Sequence, residues 1–160
     1  MIWITRARPV IDRIACPWLI VRFHDRDAQF LFLPAADVLR AAQAIGGIAF
    51  DIPGGRYEHE GELCTFDVLV RELGLGTDEA LARLADIVRA ADTDRLPEVP
   101  QAAGLLALSL GLRRQHDRDA AQLEAGLAIY DALYAWCRHD TAERHNWKRA
   151  DSPTSPPTPS

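Results

Sequence analysis

The chain has 160 residues, a length that favours one domain, and its apolar fraction of 48% is sufficient to bury a sizeable core. The formal net charge is −5, which excludes a protein built for non-specific nucleic-acid binding through overall basicity. No apolar stretch approaches the ~18 residues of a membrane span, and Met1 leads directly into a strand-like segment instead of a signal peptide. Three scattered cysteines, Cys16, Cys64 and Cys137, do not form a disulfide framework, so we expect a cytoplasmic protein with reduced thiols and no membrane partner.

The N-terminal third of the chain alternates between strand and helix patterns. Residues 1–5, 29–33 and 48–52 have the apolar and aromatic character of short strands. Residues 12–25 and 37–45 repeat apolar side chains at helical spacing. This order predicts a small sheet of about three strands with helices packed on it.

Pro17 leaves the start of the first helix open. In one arrangement Asp12 is the N-cap and Pro17 kinks the helix, because proline removes a backbone hydrogen bond. In the other arrangement the regular helix begins at Pro17, with Cys16 at the cap. The helix dipole would then lower the pKa of the Cys16 thiol.

The rest of the chain has helical patterns after a polar loop at residues 56–64. Thr65 and Thr77 are candidate caps for two successive helices. Residues 102–112 are apolar on nearly every side, which predicts a central buried helix. The last long helix begins near residues 117–119. We therefore predict an α+β fold in which a helical half follows the small N-terminal sheet.

The helical pattern fails from about residue 140. Residues 151–160 contain four of the chain's 10 prolines and no side chain that could form a core. We therefore predict one domain over residues 1–139 and a disordered tail over residues 140–160.

A series of motifs resembles one known family. The stretch TRARPVIDRIACPWLIVRF is followed in order by AQFLFLP, FDI, HEGELCTFDVLV, IVRAAD and LAIYDALYAWC. Together they resemble the C-terminal domain of the chromate-resistance protein ChrB, over roughly residues 3–137. The resemblance implies a bacterial domain associated with chromate resistance or chromate sensing. ChrB also has an N-terminal regulatory region that this chain does not contain, so we expect no specific DNA binding by the chain alone.

The leading functional hypothesis is a site for a small oxyanion such as chromate. Arg6 ends the first predicted strand, and Arg13 follows within the next helix, so both guanidinium groups could donate bidentate hydrogen bonds. His59 follows the third strand and lies between two glutamates, which raise the pKa of an imidazole and favour its cationic form. Cys64 and Asp67 are expected to shape the same pocket.

The alternative is a metal-dependent enzyme, with redox chemistry as one option. The sequence has no CxxC, HExxH or HxH motif, so a zinc signature is absent. His59, Glu60, Asp92 and Asp131 are the candidate ligands, brought together only by folding. Oxygen-rich ligands with one histidine suit Mn²⁺ or Fe²⁺.

Asp131 lies within an apolar helix and needs a partner, for which an arginine of the opening stretch is the natural choice.

A third functional hypothesis is a partner-binding fragment that works with a separate DNA-binding chain. A homodimer is a further expectation.

Overall fold

The computed structural model describes residues 1–145 and confirms an α+β fold, with a three-stranded sheet followed by a helical half. The predicted tail runs on into residues 146–160, which lie outside the described residues. Within residues 1–145, no helix combines the length and apolar character needed to cross a lipid bilayer. The strands are β1 (Ile2–Arg6), β2 (Gln29–Leu33) and β3 (Ile48–Ala49), and the α-helices are α1 (Asp12–Phe23), α2 (Ala35–Ile45), α3 (Thr65–Glu72), α4 (Glu79–Asp92), α5 (Ala102–Gln115) and α6 (Asp119–His139).

β1 is the central strand, because the strands lie in the order β2-β1-β3 and both pairs are parallel. Ile4 lies opposite Leu31 in β2 and Ala49 in β3. Parallel neighbours need crossover connections, which α1 and α2 supply. The carboxyl ends of β1 and β3 therefore meet at one edge of the sheet.

The two faces of the sheet pack against different helices, because successive side chains of β1 point to opposite faces. Ile4 packs with Val38 and Ala42 of α2 in a small cluster. Trp3 belongs to a larger core formed with α1, α3, α4 and α6. The larger core lies on the side of the sheet from which the helical half extends.

Trp18 joins three helices within the larger core and is fully buried. The centroid of its ring system lies 6.4 Å from that of Phe66 in α3 and 6.3 Å from that of Tyr130 in α6. The indole N–H donates to Asp131 Oδ1 at 2.8 Å, which satisfies its only polar atom. These contacts fix α1 relative to α3 and α6, so the first turn of α1 is rigidly placed.

α1 begins at Asp12 and continues through Pro17, so the arrangement in which the helix begins at Pro17 is wrong. The N-cap position is occupied by Ile11, with φ of 46°, and Asp12 is the first helical residue. Cys16 lies inside the helix, where burial raises the pKa of its thiol. The buried apolar face that begins before Pro17 keeps the preceding turn helical.

The predicted caps of α3 and α4 are each displaced by one residue. Cys64 is the N-cap of α3, and Asp78 is the N-cap of α4. The Asp78 side chain accepts two backbone N–H groups of the first turn, and a carboxylate is favoured at that end of the helix dipole. Thr65 instead donates hydrogen bonds to the polar cluster that is described below.

α5 is not the central buried helix that its composition predicts. Only three of its residues, Ala102, Leu105 and Ser109, are buried, while Leu108 is 54% exposed. One face of α5 packs on α4 and α6, and no element within residues 1–145 covers the other face. An apolar composition allows a helix to be buried on all sides. The neighbouring elements determine which of its faces are actually buried.

Two helical glycines provide a matched test of this packing. A Cβ at Gly126 in α6 would lie 2.6 Å from Ile14 Cγ2, whereas a Cβ at Gly111 in α5 would meet no atom within 4 Å. Gly126→Ala should therefore lower the free energy of unfolding by about 1–3 kcal/mol through overpacking. Gly111→Ala should raise it by about 0.5–1 kcal/mol, because alanine is the better helix former.

Urea unfolding followed by circular dichroism measures both changes. Equal effects of the two substitutions would contradict the close approach of α6 to α1.

Candidate functional site

Polar side chains from four parts of the chain converge at the carboxyl edge of the sheet. Arg6 ends β1, Asp51 follows β3, Asp12 begins α1 and Asp92 ends α4. His59 reaches them from the loop after β3. We call Asp12, Asp51, His59 and Asp92 the acidic cluster.

His59 lies at the centre of the acidic cluster. Its Nε2 atom lies 3.3 Å from Asp12 Oδ2, 3.4 Å from Asp51 Oδ1 and 3.2 Å from Asp92 Oδ2. Contacts with Asp12 first, and then with Asp51, raise the pKa of His59 to about 10. His59 is therefore an imidazolium at neutral pH. One N–H group cannot donate well to three carboxylates, so the cluster has more acceptors than donors at this point.

Asp12 is 0% exposed. Its Oδ2 atom accepts the backbone N–H of Thr65 at 2.7 Å, which links the first turns of α1 and α3. Its Oδ1 atom is buried and has no hydrogen-bond partner among residues 1–145. Burial raises the pKa of Asp12, although the contact with His59 opposes this change.

The other two carboxylates have opposite electrostatic environments. Burial, followed by the charges of Asp12 and Asp51, raises the pKa of Asp92 to about 7. Burial would also raise the pKa of Asp51, but His59, Arg6 and Arg13 together lower it below its usual value. Asp51 is therefore ionised at neutral pH, whereas Asp92 is only partly ionised there.

The two arginines both neutralise Asp51. Arg6 donates through Nη2 to Asp51 Oδ2 at 3.0 Å and through Nε to the Asp51 carbonyl at 3.1 Å. Arg13 Nε lies 3.3 Å from Asp51 Oδ2, and Arg13 Nη1 donates to the Ala7 carbonyl at 3.1 Å. Burial, followed by the charge of Arg6, lowers the pKa of Arg13. Arg13 is thus a partly desolvated cation that holds Asp51 in place.

A pocket of about 240 Å³ opens beside the acidic cluster. It brings together Arg6 and His59, two of the predicted oxyanion ligands, while Arg13 does not line it. The lining residues are Arg6, Asp51, Ile52, Pro53, Glu58 and His59.

Cys64 and Asp67, predicted to shape the pocket, lie at the start of α3 and do not line it. Cys64 is buried at the N-cap, and burial raises the pKa of its thiol. Asp67 accepts the Cys64 backbone N–H at 3.0 Å and pairs with Arg89 at 2.6 Å. Both residues therefore serve the capping of α3.

Glu60 and Asp131, predicted as metal ligands, lie outside the acidic cluster because arginines elsewhere pair with them. Glu60 pairs with Arg71 at 2.8 Å. Asp131 pairs with Arg22 at 2.8 Å, which confirms the prediction of an arginine partner from the opening stretch. Of the predicted ligands, His59 and Asp92 are the two that the fold brings together.

Asp51 was not predicted from the sequence, and Asp12 was not among the predicted oxyanion or metal ligands. One signal could have found Asp51: it directly follows the apolar segment of β3, at the same sheet edge as Arg6. Its φ of 49° is a conformation that aspartate tolerates better than most residues, so a turn at this point directs its carboxylate towards Arg6.

The raised pKa of His59 predicts a loss of stability at alkaline pH. Its pKa in the folded chain is about 10, above the ordinary 6.5, so its contribution is fully present below pH 6.5 and is lost as the pH rises to about 10. His59→Gln should therefore unfold with a flatter dependence on pH between 7 and 10, measured by urea titration with EDTA present. His139→Gln, at an exposed position in α6, should keep the parent slope. A parent protein whose stability does not fall in this range would contradict the pairing of His59.

Comparison with known proteins agrees with the sequence resemblance. The family model described as the C-terminal domain of ChrB matches residues 3–137. Protein ChrB of Cupriavidus metallidurans is 36% identical over 132 residues, which cover 82% of this chain and 39% of that protein. The chain thus spans well under half the length of this relative. No solved structure matches this chain. The chain belongs to the ChrB C-terminal domain family.

Proposed function

We propose that this domain serves chromate resistance by binding a small oxyanion, with chromate as the natural candidate, in the pocket beside the acidic cluster. Membership of the ChrB family supports the link to chromate. Because the chain corresponds to 39% of Protein ChrB, ligand binding is the part of the role that we assign to it. The compartment that we propose is the cytoplasm.

The observation that supports this proposal is that Arg6 and His59 both line one pocket. Within residues 1–145, Arg6 Nη1 has no hydrogen-bond partner, and the contacts of His59 with carboxylates all involve Nε2. Arg6 Nη1 and the His59 imidazole Nδ1–H therefore remain available as donors. Charge-assisted bonds to both would hold an anion more strongly than neutral donors could.

The carboxylates of the acidic cluster repel an anion less than their number suggests. Asp51 is neutralised by Arg6 and Arg13. With a pKa raised to about 7, Asp92 carries only part of a negative charge at neutral pH, and burial raises the pKa of Asp12 as well. Arg13 contributes indirectly, since without it the charge of Arg6 would be cancelled by Asp51.

Partners other than the oxyanion remain predictions. We propose that the chain alone does not bind a specific DNA sequence, since its net charge is −5. A homodimer is a further proposal, which sedimentation analysis would test.

Substitution of Arg6 tests the oxyanion proposal directly. Arg6→Gln should weaken chromate binding about tenfold to a hundredfold, because one charge-assisted contact contributes roughly 1.5–3 kcal/mol. Arg6→Lys, which retains the charge but loses the planar fork, should lie between the parent and Arg6→Gln. Isothermal titration calorimetry with EDTA present, repeated with sulfate, measures these affinities.

Arg40→Gln is the matched control, since Arg40 is strongly exposed and pairs only with Asp37 among residues 1–145. It should bind chromate as the parent does. If the parent binds no oxyanion, or if Arg6→Gln binds with unchanged affinity, the proposed site is wrong.

A further inference from the structure

Three side chains of the acidic cluster have the arrangement of a metal site. Asp12, His59 and Asp92 each offer one ligand atom, and these atoms lie within 4.8 Å of one another. The residues come from the start of α1, the loop after β3 and the end of α4. Two of the three ligands are thus fixed on helices that the core holds rigidly, which favours a preformed site.

A second observation points to cation binding at this cluster. The Asp12 carboxylate is 0% exposed, and its Oδ2 atom contacts His59 Nε2 at 3.3 Å. The Oδ1 atom of the same carboxylate is buried without any hydrogen-bond donor among residues 1–145. A buried carboxylate oxygen without a partner is costly, and coordination of a metal ion is one of the few ways to satisfy it.

The neighbouring contacts make Asp12 a fixed ligand. The Thr65 backbone N–H holds Asp12 Oδ2 at 2.7 Å, and the Asp12 backbone N–H lies 3.5 Å from Asp92 Oδ1. Asp51 is not a free ligand to the same degree, because Arg6 and the Thr65 hydroxyl already donate to it. Such hydrogen bonds to ligands and their neighbours orient a coordination site.

We propose that Asp12, His59 and Asp92 bind a divalent transition-metal ion, with Mn²⁺ or Fe²⁺ as the preferred class. The donor set is one imidazole nitrogen with carboxylate oxygens, which suits these ions better than the sulfur-rich or histidine-rich sets typical of zinc. The ion would replace the proton on His59 Nε2 and bind one carboxylate oxygen each from Asp12 and Asp92. The remaining coordination positions are open to water.

This inference is independent of oxyanion binding. The metal ion lies on the Nε2 side of His59, and the pocket with Arg6 would remain cationic because a divalent ion replaces one proton. Metal titration without chromate therefore tests the metal site alone, while chromate titration in EDTA tests the oxyanion site alone.

The experiment is a titration of chelator-treated protein with MnCl₂, in which electron paramagnetic resonance measures free Mn²⁺. The parent should bind one ion per chain. Asp92→Asn and His59→Gln should each weaken binding at least tenfold while retaining the circular-dichroism spectrum of the parent. Asp12→Asn should weaken it as well, and the two other variants carry the test if this one does not fold.

Asp94→Asn is the matched control, because Asp94 is exposed and lies two residues beyond Asp92. It removes the same charge and should leave Mn²⁺ affinity unchanged. A parent that binds no stoichiometric Mn²⁺ would overturn the inference. So would binding that Asp92→Asn and His59→Gln leave intact, or that Asp94→Asn weakens equally.

Discussion

The carboxylate of Asp12 is removed from solvent at the first turn of α1, and the surrounding structure has to stabilise it. The His59 imidazolium, in the loop after β3, and the Thr65 backbone N–H, at the start of α3, both contact it. Because Asp12 is fully buried, loss of either partner would leave a buried acceptor less satisfied, so these contacts constrain the fold as well as the site. They tie the start of α1 to the start of α3 and to the loop after β3.

The sheet edge adds a second set of charges to this arrangement. Arg6 and Arg13 both neutralise Asp51, yet only Arg6 lines the pocket. The two arginines differ in exposure. Arg13 lies beneath the sheet edge, whereas Arg6 is partly exposed and can reach the pocket. His59 connects the acidic cluster to the pocket, since its Nε2 atom contacts the buried carboxylates and the residue also forms part of the pocket wall.

Local patterns in the sequence were sufficient for the strands, the helices and the α+β class, because periodicity reports which faces are apolar. They also led to Arg6, at the end of the first predicted strand, and to His59, in the polar loop after the third. They were not sufficient for Asp12, whose position resembles an ordinary helix start, or for Asp51, which follows a strand of only two residues. Glu60 and Asp131 were grouped with the site, whereas the structure pairs them with Arg71 and Arg22, and such partners are not evident from local sequence. The exposed face of α5 shows the same limit, since composition does not reveal which neighbours cover a helix.

The charge state of His59 tests the central claim most directly, because every role assigned to the acidic cluster depends on an imidazole held among carboxylates. The ¹⁵N chemical shifts of the His59 ring, recorded at pH 8 in protein freed of metal with EDTA, report whether each nitrogen carries a proton. With a pKa of about 10, both nitrogens should have the shifts of an imidazolium. The shifts of a neutral ring, with one nitrogen unprotonated, would contradict the pairing of His59 with Asp12 and the account built on it.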